Sequence, residues 1–216
     1  MSANERIHQA QSVAMAGVLL NNAEAAMVIT HGRGGTNHQA LALVDHIGTD
    51  GFAYLAPQAY QNSWYPHSFM APMESNQPYL DSALQAIDDA VTQIVDAGIA
   101  TEKIMLLGFS QGGCLSLEYG ARNAKRFGGV VGLSGGLIGP EGTPRDYAGS
   151  LDGTPVFLGC SDVDFHTPLE RVHESAQVLT KLGGDVEERI YEGMGHTINN
   201  DELDYVRQMM ATVIKG

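Results

Sequence analysis

Short and nearly uninterrupted apolar runs, separated by longer amphipathic stretches, constrain this chain more than any other feature. They cover residues 26–30, 52–56, 104–109, 130–133 and 156–158, and 186–191, which holds Glu187, Glu188 and Arg189, is read as a further strand. An apolar run without polar alternation reads as a strand covered on both faces. The stretches between carry helical spacing. Leu80, Leu84, Ile87, Val91, Ile94 and Val95 form a three–four stripe. It predicts a helix of about five turns, with Gly98 as its stop. Further helices are expected near 38–47, 112–124, 168–182 and 201–214. Strands alternating with helices imply right-handed crossovers and a mainly parallel sheet. The expected architecture is therefore a three-layer α/β fold, formed as one domain over residues 1–216. The first 24 residues admit either an extra antiparallel strand or a helix. Loops 57–78 and 135–153 exceed the ~12–15 residues common in compact domains, and loops of that length are often functional. The first carries Tyr60, Trp64, Tyr65 and Phe69.

Charge narrows the partners. The chain has 12 basic and 25 acidic side chains and a net charge of −13. Such a surface repels phosphate backbones and anionic headgroups, which argues against nucleic-acid and membrane-surface binding. A cationic or neutral apolar small molecule is easier to accommodate. Cys114 and Cys160 are too few for a disulfide framework, so both are expected as buried free thiols of a reducing compartment. Residues 1–6 show no basic segment leading into an apolar core. The run 13–20 is far short of the ~20 residues that span a bilayer. A cytoplasmic protein without stable membrane insertion, monomeric or homodimeric, is expected.

The chemistry-bearing motif is Gly108-Phe109-Ser110-Gln111-Gly112-Gly113. It follows a predicted strand and precedes a predicted helix, the context of a nucleophile elbow. A turn that tight needs small flanking residues, and the helix start directs its dipole and free N–H groups at the reacting centre. Gly132-Leu133-Ser134-Gly135-Gly136 repeats the pattern, but the Gly- and Pro-rich 135–153 segment cannot continue as a helix. Ser110 is accordingly the candidate nucleophile, and Ser134 reads as a strand-end residue.

A serine hydroxyl needs a base. His196, in Glu192-Gly193-Met194-Gly195-His196, follows the strand 186–191 and so reaches the same sheet edge. The orienting acid is expected after the strand 156–158, where Asp162 and Asp164 compete. Asp164 is preferred because it lies four residues before Pro168, where a helix begins. Asp162, Asp164 and His166 also have a spacing that would suit metal ligands, though two carboxylates and one His make a poor closed site. No metal is assigned. For the oxyanion, the donors expected are the N–H of Gln111 and, from the glycine-rich His31-Gly32-Arg33-Gly34-Gly35 loop, that of Arg33. His31 reads as a brace for that loop. The Arg33 side chain is left open between substrate contact and solvent, and Trp64, Tyr65 and Phe69 between pocket lining and packing.

With Ser110, Asp164 and His196 in that order, the chain resembles the α/β-hydrolase superfamily. Within it, the phospholipase/carboxylesterase family, which includes acyl-protein thioesterases, is the nearest in motif. The resemblance runs from about Ala25 onward and rests on His31-Gly32-x-Gly34, Ala56-Pro57 followed by Trp64, Gly108 to Gly113, and Gly195-His196. The family's acid lies in His-Gly-x-x-Asp-Pro-x-x-Pro. Aligned without gaps, that places the acid at Asp164, with Cys160-Ser161 replacing His-Gly and Phe165 replacing Pro. Gly34-Gly35 stands where many members carry Gly-Asp, so thioester substrates are not assumed. The resemblance implies the α/β-hydrolase fold without a large cap domain, and cofactor-free hydrolysis of small carboxylic esters through an acyl-enzyme. A catalytically silent small-ligand receptor and a metal-dependent hydrolase are the alternatives.

Overall fold

In the computed structural model, which describes residues 6–48 and 50–215, one seven-stranded sheet organises the chain. Its strands are β1 (Val13–Gly17), β2 (Ala25–Thr30), β3 (Phe52–Pro57), β4 (Ile104–Phe109), β5 (Gly129–Leu133), β6 (Pro155–Ser161) and β7 (Asp185–Tyr191). Their order is β1-β3-β2-β4-β5-β6-β7. β1 pairs antiparallel with β3, and every other pairing is parallel. The N-terminal ambiguity thus resolves as an added antiparallel edge strand. Residues 1–5 lie outside the described residues, as do Thr49 and Gly216.

Six helices cover the sheet: α1 (Asn37–Leu41), α2 (Val44–Ile47), α3 (Tyr79–Asp96), α4 (Gln111–Arg122), α5 (Leu169–Lys181) and α6 (Asn200–Lys215). Successive strand residues point to opposite faces. Val28, Leu55, Leu106, Val130 and Val156 meet α3, α4 and α5 through Ile87, Leu117 and Leu179. Met27, Tyr54, Leu107, Val131 and Phe157 meet α1, α2 and α6 through Ala40, Ile47 and Val206. From β2 to β6 the strands are buried on both faces, which is why they read as continuous apolar runs. Each fully buried Leu or Ile contributes roughly 1.5–3 kcal/mol. The result is a three-layer α/β-hydrolase fold without a large cap domain. Among the described residues no helix is long and apolar enough to cross a membrane.

The stripe on α3 ends as its sequence predicts. Gly98 takes φ 94°, its N–H donates to Val95 O at 2.8 Å, and Ile99 N–H reaches Ile94 O at 3.4 Å. This double closure satisfies the last carbonyls of the helix. The single helix expected over 38–47 is instead two short ones. Leu43 N–H donates to Ala40 O and His46 N–H to Leu43 O, a tightened turn of i→i−3 bonds. It turns Ala40, Val44 and Ile47 together onto the sheet.

Candidate active site

The carboxyl ends of β2, β4, β6 and β7 share one edge of the sheet, because these strands are parallel. The candidates Arg33, Ser110, Gln111, Asp162, Asp164 and His196 follow those ends. Ser110 caps β4 at φ 57°, ψ −121°, a region that non-glycine residues rarely occupy. The turn closes only because two neighbours lack side chains. A Cβ on Gly108 would lie 2.2 Å from Gly112 O, and one on Gly112 would lie 2.2 Å from Thr30 O. The Thr30 hydroxyl donates to Gly112 O at 2.9 Å and tethers the turn to β2. Ser110 N–H donates to Leu133 O at 2.8 Å. The second motif lacks this architecture. Ser134 is fully buried, its Oγ has no partner, and no helix follows it.

His196 lies in the loop after β7, three strands from β4. At about 4.8 Å per strand, that loop must reach back over β6 and β5, and it does so on fixed hydrogen bonds. Gly195 N–H donates to Ser161 Oγ at 2.9 Å, and Gly193 N–H to Asp162 Oδ1 at 2.8 Å. The imidazole then bridges two partners. Nε2 is 2.8 Å from Ser110 Oγ, and Nδ1 is 2.6 Å from Asp164 Oδ2. A proton on Nδ1 satisfies Asp164 and leaves Nε2 to accept from the serine hydroxyl. The ring is flanked by Phe109 at 4.9 Å and His166 at 4.7 Å between centroids.

The two candidate acids are separated by their partners. Asp164 Oδ1 accepts the N–H of His166 at 2.9 Å and of Thr167 at 3.1 Å, while Oδ2 faces His196. Burial works to raise this carboxyl, but the His196 hydrogen bond and those backbone donors outweigh it and hold it below the usual carboxylate range. Asp162 is exposed and committed to Gly193. Cys160 and Ser161, which stand where the family pattern has His-Gly, have work of their own. Ser161 Oγ holds the His196 loop, and the buried Cys160 thiol, pushed up to about 12 by burial and then by Asp164, stays neutral. Both cysteines are free and buried. Among the described residues no three His, Cys, Asp or Glu side chains converge as metal ligands.

The donors proposed for an oxyanion flank Ser110. Gln111 opens α4, so its N–H has no intrahelical acceptor. In the facing loop, Gly34 N–H is taken by Asn62 O and Gly35 N–H by Gly32 O. Among the described residues the N–H of Arg33 meets no backbone carbonyl. His31 does brace this loop: Nδ1 bonds Gly32 O at 2.8 Å, and Nε2 accepts Ala59 N–H at 3.1 Å. Burial holds its pKa down, which suits a neutral ring that donates once and accepts once.

The aromatic loop divides. Tyr65 and Phe69 line a cleft of about 600 Å³ over Ser110, together with Gly32, Arg33, His67 and His166. Trp64, a candidate pocket residue for which packing was the alternative, does not border it. Its indole is 0% exposed, donates to His31 O at 2.9 Å and stacks on the His31 ring. An indole of that size gains more from full burial than from a cleft wall.

Three anchors went unread in the sequence. The Gln111 side chain accepts Trp64 N–H at 2.8 Å and donates to Tyr65 O at 2.9 Å, clamping the loop to α4. His8 Nδ1 accepts Tyr60 N–H, and its Nε2 meets Trp64 O at 3.0 Å. Arg33 clamps the same loop from outside. None of these has a local sequence signal.

Below the His196 loop, Asn199 and Glu202 cap α6 reciprocally, at 2.8 and 2.9 Å. Glu202 is 0% exposed and its Oε1 has no partner. Burial raises its pKa to about 7 from 4.5. A group raised on folding stabilises fully below its unfolded pKa, and that stability is lost as pH rises through the folded one. At about 1.4 kcal/mol per unit, the fold loses about 3 kcal/mol from this group between pH 4.5 and pH 7. His8 and His31, lowered by burial, act oppositely below 6.5. The readout is therefore the difference between wild type and Glu202→Gln. Urea midpoints at about pH 5 and pH 8 are expected to shift less in the variant.

The profile of the phospholipase/carboxylesterase family matches residues 20–214. The crystal structure of a phospholipase/carboxylesterase from Dyadobacter fermentans DSM 18053 is similar with a TM-score of 0.90 and 42% identity, over 94% of this chain and 97% of that one. Acyl-protein thioesterase 1 of Gibberella zeae is 39% identical over 123 residues, 56% of this chain and 52% of that protein. Acyl-protein thioesterase 1 of Saccharomyces cerevisiae is 31% identical over 130 residues, 57% and 55% of the two. This chain thus spans little more than half the length of these two curated relatives.

Proposed function

The chain belongs to the phospholipase/carboxylesterase family, whose membership implies esterase chemistry of the serine-hydrolase type, and from that premise we propose that it is a carboxylesterase acting through an acyl-enzyme on Ser110. The observation that carries the reading is the continuous hydrogen-bonded path Ser110–His196–Asp164, at 2.8 and 2.6 Å.

Ser110 Oγ attacks the ester carbonyl as His196 Nε2 removes its proton. Asp164, already held as a carboxylate, fixes the imidazole tautomer and stabilises the imidazolium. The N–H groups of Arg33 and Gln111 receive the oxyanion, each worth about 3 kcal/mol in such sites. His196 passes its proton to the leaving alcohol. It then takes a proton from the water that attacks the acyl-enzyme and returns it to Ser110 Oγ as the acyl C–O bond breaks and the acid leaves. Every proton movement uses a side chain of this chain, and no cofactor is required. Tyr65 and Phe69 contact the substrate. The substrate is a small carboxylic ester; lysophospholipids and thioesters, as for the named thioesterase relatives, are further candidates. In this reading residues 1–216 act as one domain, as a monomer or homodimer in the cytoplasm.

The test is hydrolysis of 4-nitrophenyl acetate and butyrate, with a fluorophosphonate labelling Ser110 and EDTA without effect. Asp164→Asn is expected to lower kcat by about 10⁴-fold through the wrong imidazole tautomer. Asp162→Asn, whose amide Oδ1 can still accept the Gly193 N–H, is expected to cost less than about tenfold, at most about 1 kcal/mol of positioning. The reverse ranking would displace Asp164 from its role.

A further inference from the structure

The wall of the cleft has a charge that the whole chain does not share. Although the chain carries 25 acidic side chains, no carboxylate among the described residues lines the cleft over Ser110. Its basic lining residues are Arg33, His67, His166 and His196. Arg33 is the fixed cation among them. Its Nη1 donates to Ser63 Oγ at 3.0 Å and Pro66 O at 2.9 Å, its Nη2 donates to His67 O at 2.5 Å, and the guanidinium lies 5.8 Å from the Tyr65 ring centroid. All these partners are neutral. Arg122, Arg145, Arg171, Arg189 and Arg207 each pair with a carboxylate elsewhere in the molecule. Arg33 has none within 4.0 Å among the described residues.

Three hydrogen bonds leave two of the five guanidinium N–H donors without a protein acceptor. A charge held still by neutral acceptors, in a concave wall whose described lining carries no carboxylate, gives that wall a local positive field although the chain as a whole is acidic. The adjoining groove behind the Arg33 loop is built from Ala40, Leu43, Phe109 and Ile198 and offers apolar surface for the rest of a substrate.

Resting on the esterase reading above, we infer that the preferred substrates are esters bearing a carboxylate, recognised by the Arg33 guanidinium with His67 and His166 as further ring N–H donors. Arg33 then has two separable parts: its backbone N–H faces the oxyanion, and its side chain sets specificity.

Two matched pairs of esters test this, one for each side of the scissile bond. 4-Acetoxybenzoate against 4-acetoxybenzamide varies the leaving group. The monophenyl ester of adipic acid against phenyl hexanoate varies the acyl group. In at least one pair the charged member is expected to have kcat/KM about tenfold or more above its neutral partner, the worth of one charge-assisted contact. In Arg33→Met that ratio should fall to about 1, and in Arg33→Lys it should be partly retained. Both variants disturb the clamp on loop 63–67, so absolute rates fall with every ester; the ratio isolates recognition. If Arg33→Met fails to fold, the wild-type ratio alone decides. It should shrink severalfold between about 20 mM and 500 mM NaCl, as screening shortens. Wild type that turns over the neutral esters with no preference for either charged one, or an unchanged ratio in Arg33→Met, overturns this inference and leaves the esterase reading standing. No turnover of 4-nitrophenyl acetate removes the esterase reading itself.

Discussion

Ser110→Ala is expected to hydrolyse 4-nitrophenyl acetate about 10⁴- to 10⁶-fold more slowly than wild type, the range seen when a nucleophile is removed from a unit that acts together. The variant keeps the backbone of the elbow, since Ala occupies the same φ of 57° with the same Cβ. It loses one hydrogen bond, to His196 Nε2. Stability should therefore move by no more than about 1 kcal/mol, and circular dichroism and the urea midpoint should overlay those of wild type. What remains of the rate belongs to binding and the oxyanion donors. Ser134→Ala, at a fully buried serine whose Oγ has no partner, should leave kcat within about twofold, the size of a few tenths of a kcal/mol. Fluorophosphonate labelling that persists in Ser110→Ala and vanishes in Ser134→Ala would transfer the chemistry to the other motif.

Gly112→Ala should be, with Gly108→Ala, among the most damaging single methyl additions in the described residues. Its Cβ would sit 2.2 Å from Thr30 O, 2.6 Å from Thr30 C and 2.7 Å from His31 O. All three are backbone atoms at the end of β2, which is hydrogen-bonded on both sides, to β3 and to β4. No rotamer relieves the clash, so the helix start or the strand end has to move. Overpacking in a tight core typically costs about 1–3 kcal/mol and occasionally more. With backbone on both sides, a loss of about 3–5 kcal/mol is expected here, at the level reserved for a few diagnostic sites. Activity should fall with it, because moving β2 away shifts the Arg33 N–H from the Gln111 N–H. Gly34→Ala separates space from placement: nothing lies within 4 Å of its Cβ, and only its φ of 77° resists the change. That strain is worth about 1–2 kcal/mol. Urea denaturation of the two variants ranks them, and a Gly112→Ala protein as stable as Gly34→Ala would show that the elbow is looser than its distances imply.

Legibility followed the range of the interactions. Apolar runs and the α3 stripe depend on residues a few positions apart, and they placed the strands and helices near their observed bounds. The break between α1 and α2 escaped because every residue from His38 to Ile47 is compatible with one helix; contact with the sheet turned Ala40, Val44 and Ile47 inward. Ser110 was separable from Ser134 because the difference, a helix after one motif and none after the other, is itself local. For Trp64 the sequence leaves pocket lining and packing open for the opposite reason. Its neighbours in the chain are loop residues, while its partners, His8 and His31, lie 56 and 33 positions away.

The chain order of motifs alone determined that a tight strand–turn–helix would carry Ser110 at the sheet edge, since glycines at 108 and 112 act on their immediate surroundings. The spacing to Pro168 already favoured Asp164, but only packing put its carboxylate against His196 and made Gln111, His8 and Arg33 together hold the wall of the cleft. Those choices are made by hydrogen bonds of about 3 Å between residues up to 56 positions apart, and a distance of that kind exists only once the parallel strands have brought their carboxyl ends to one edge.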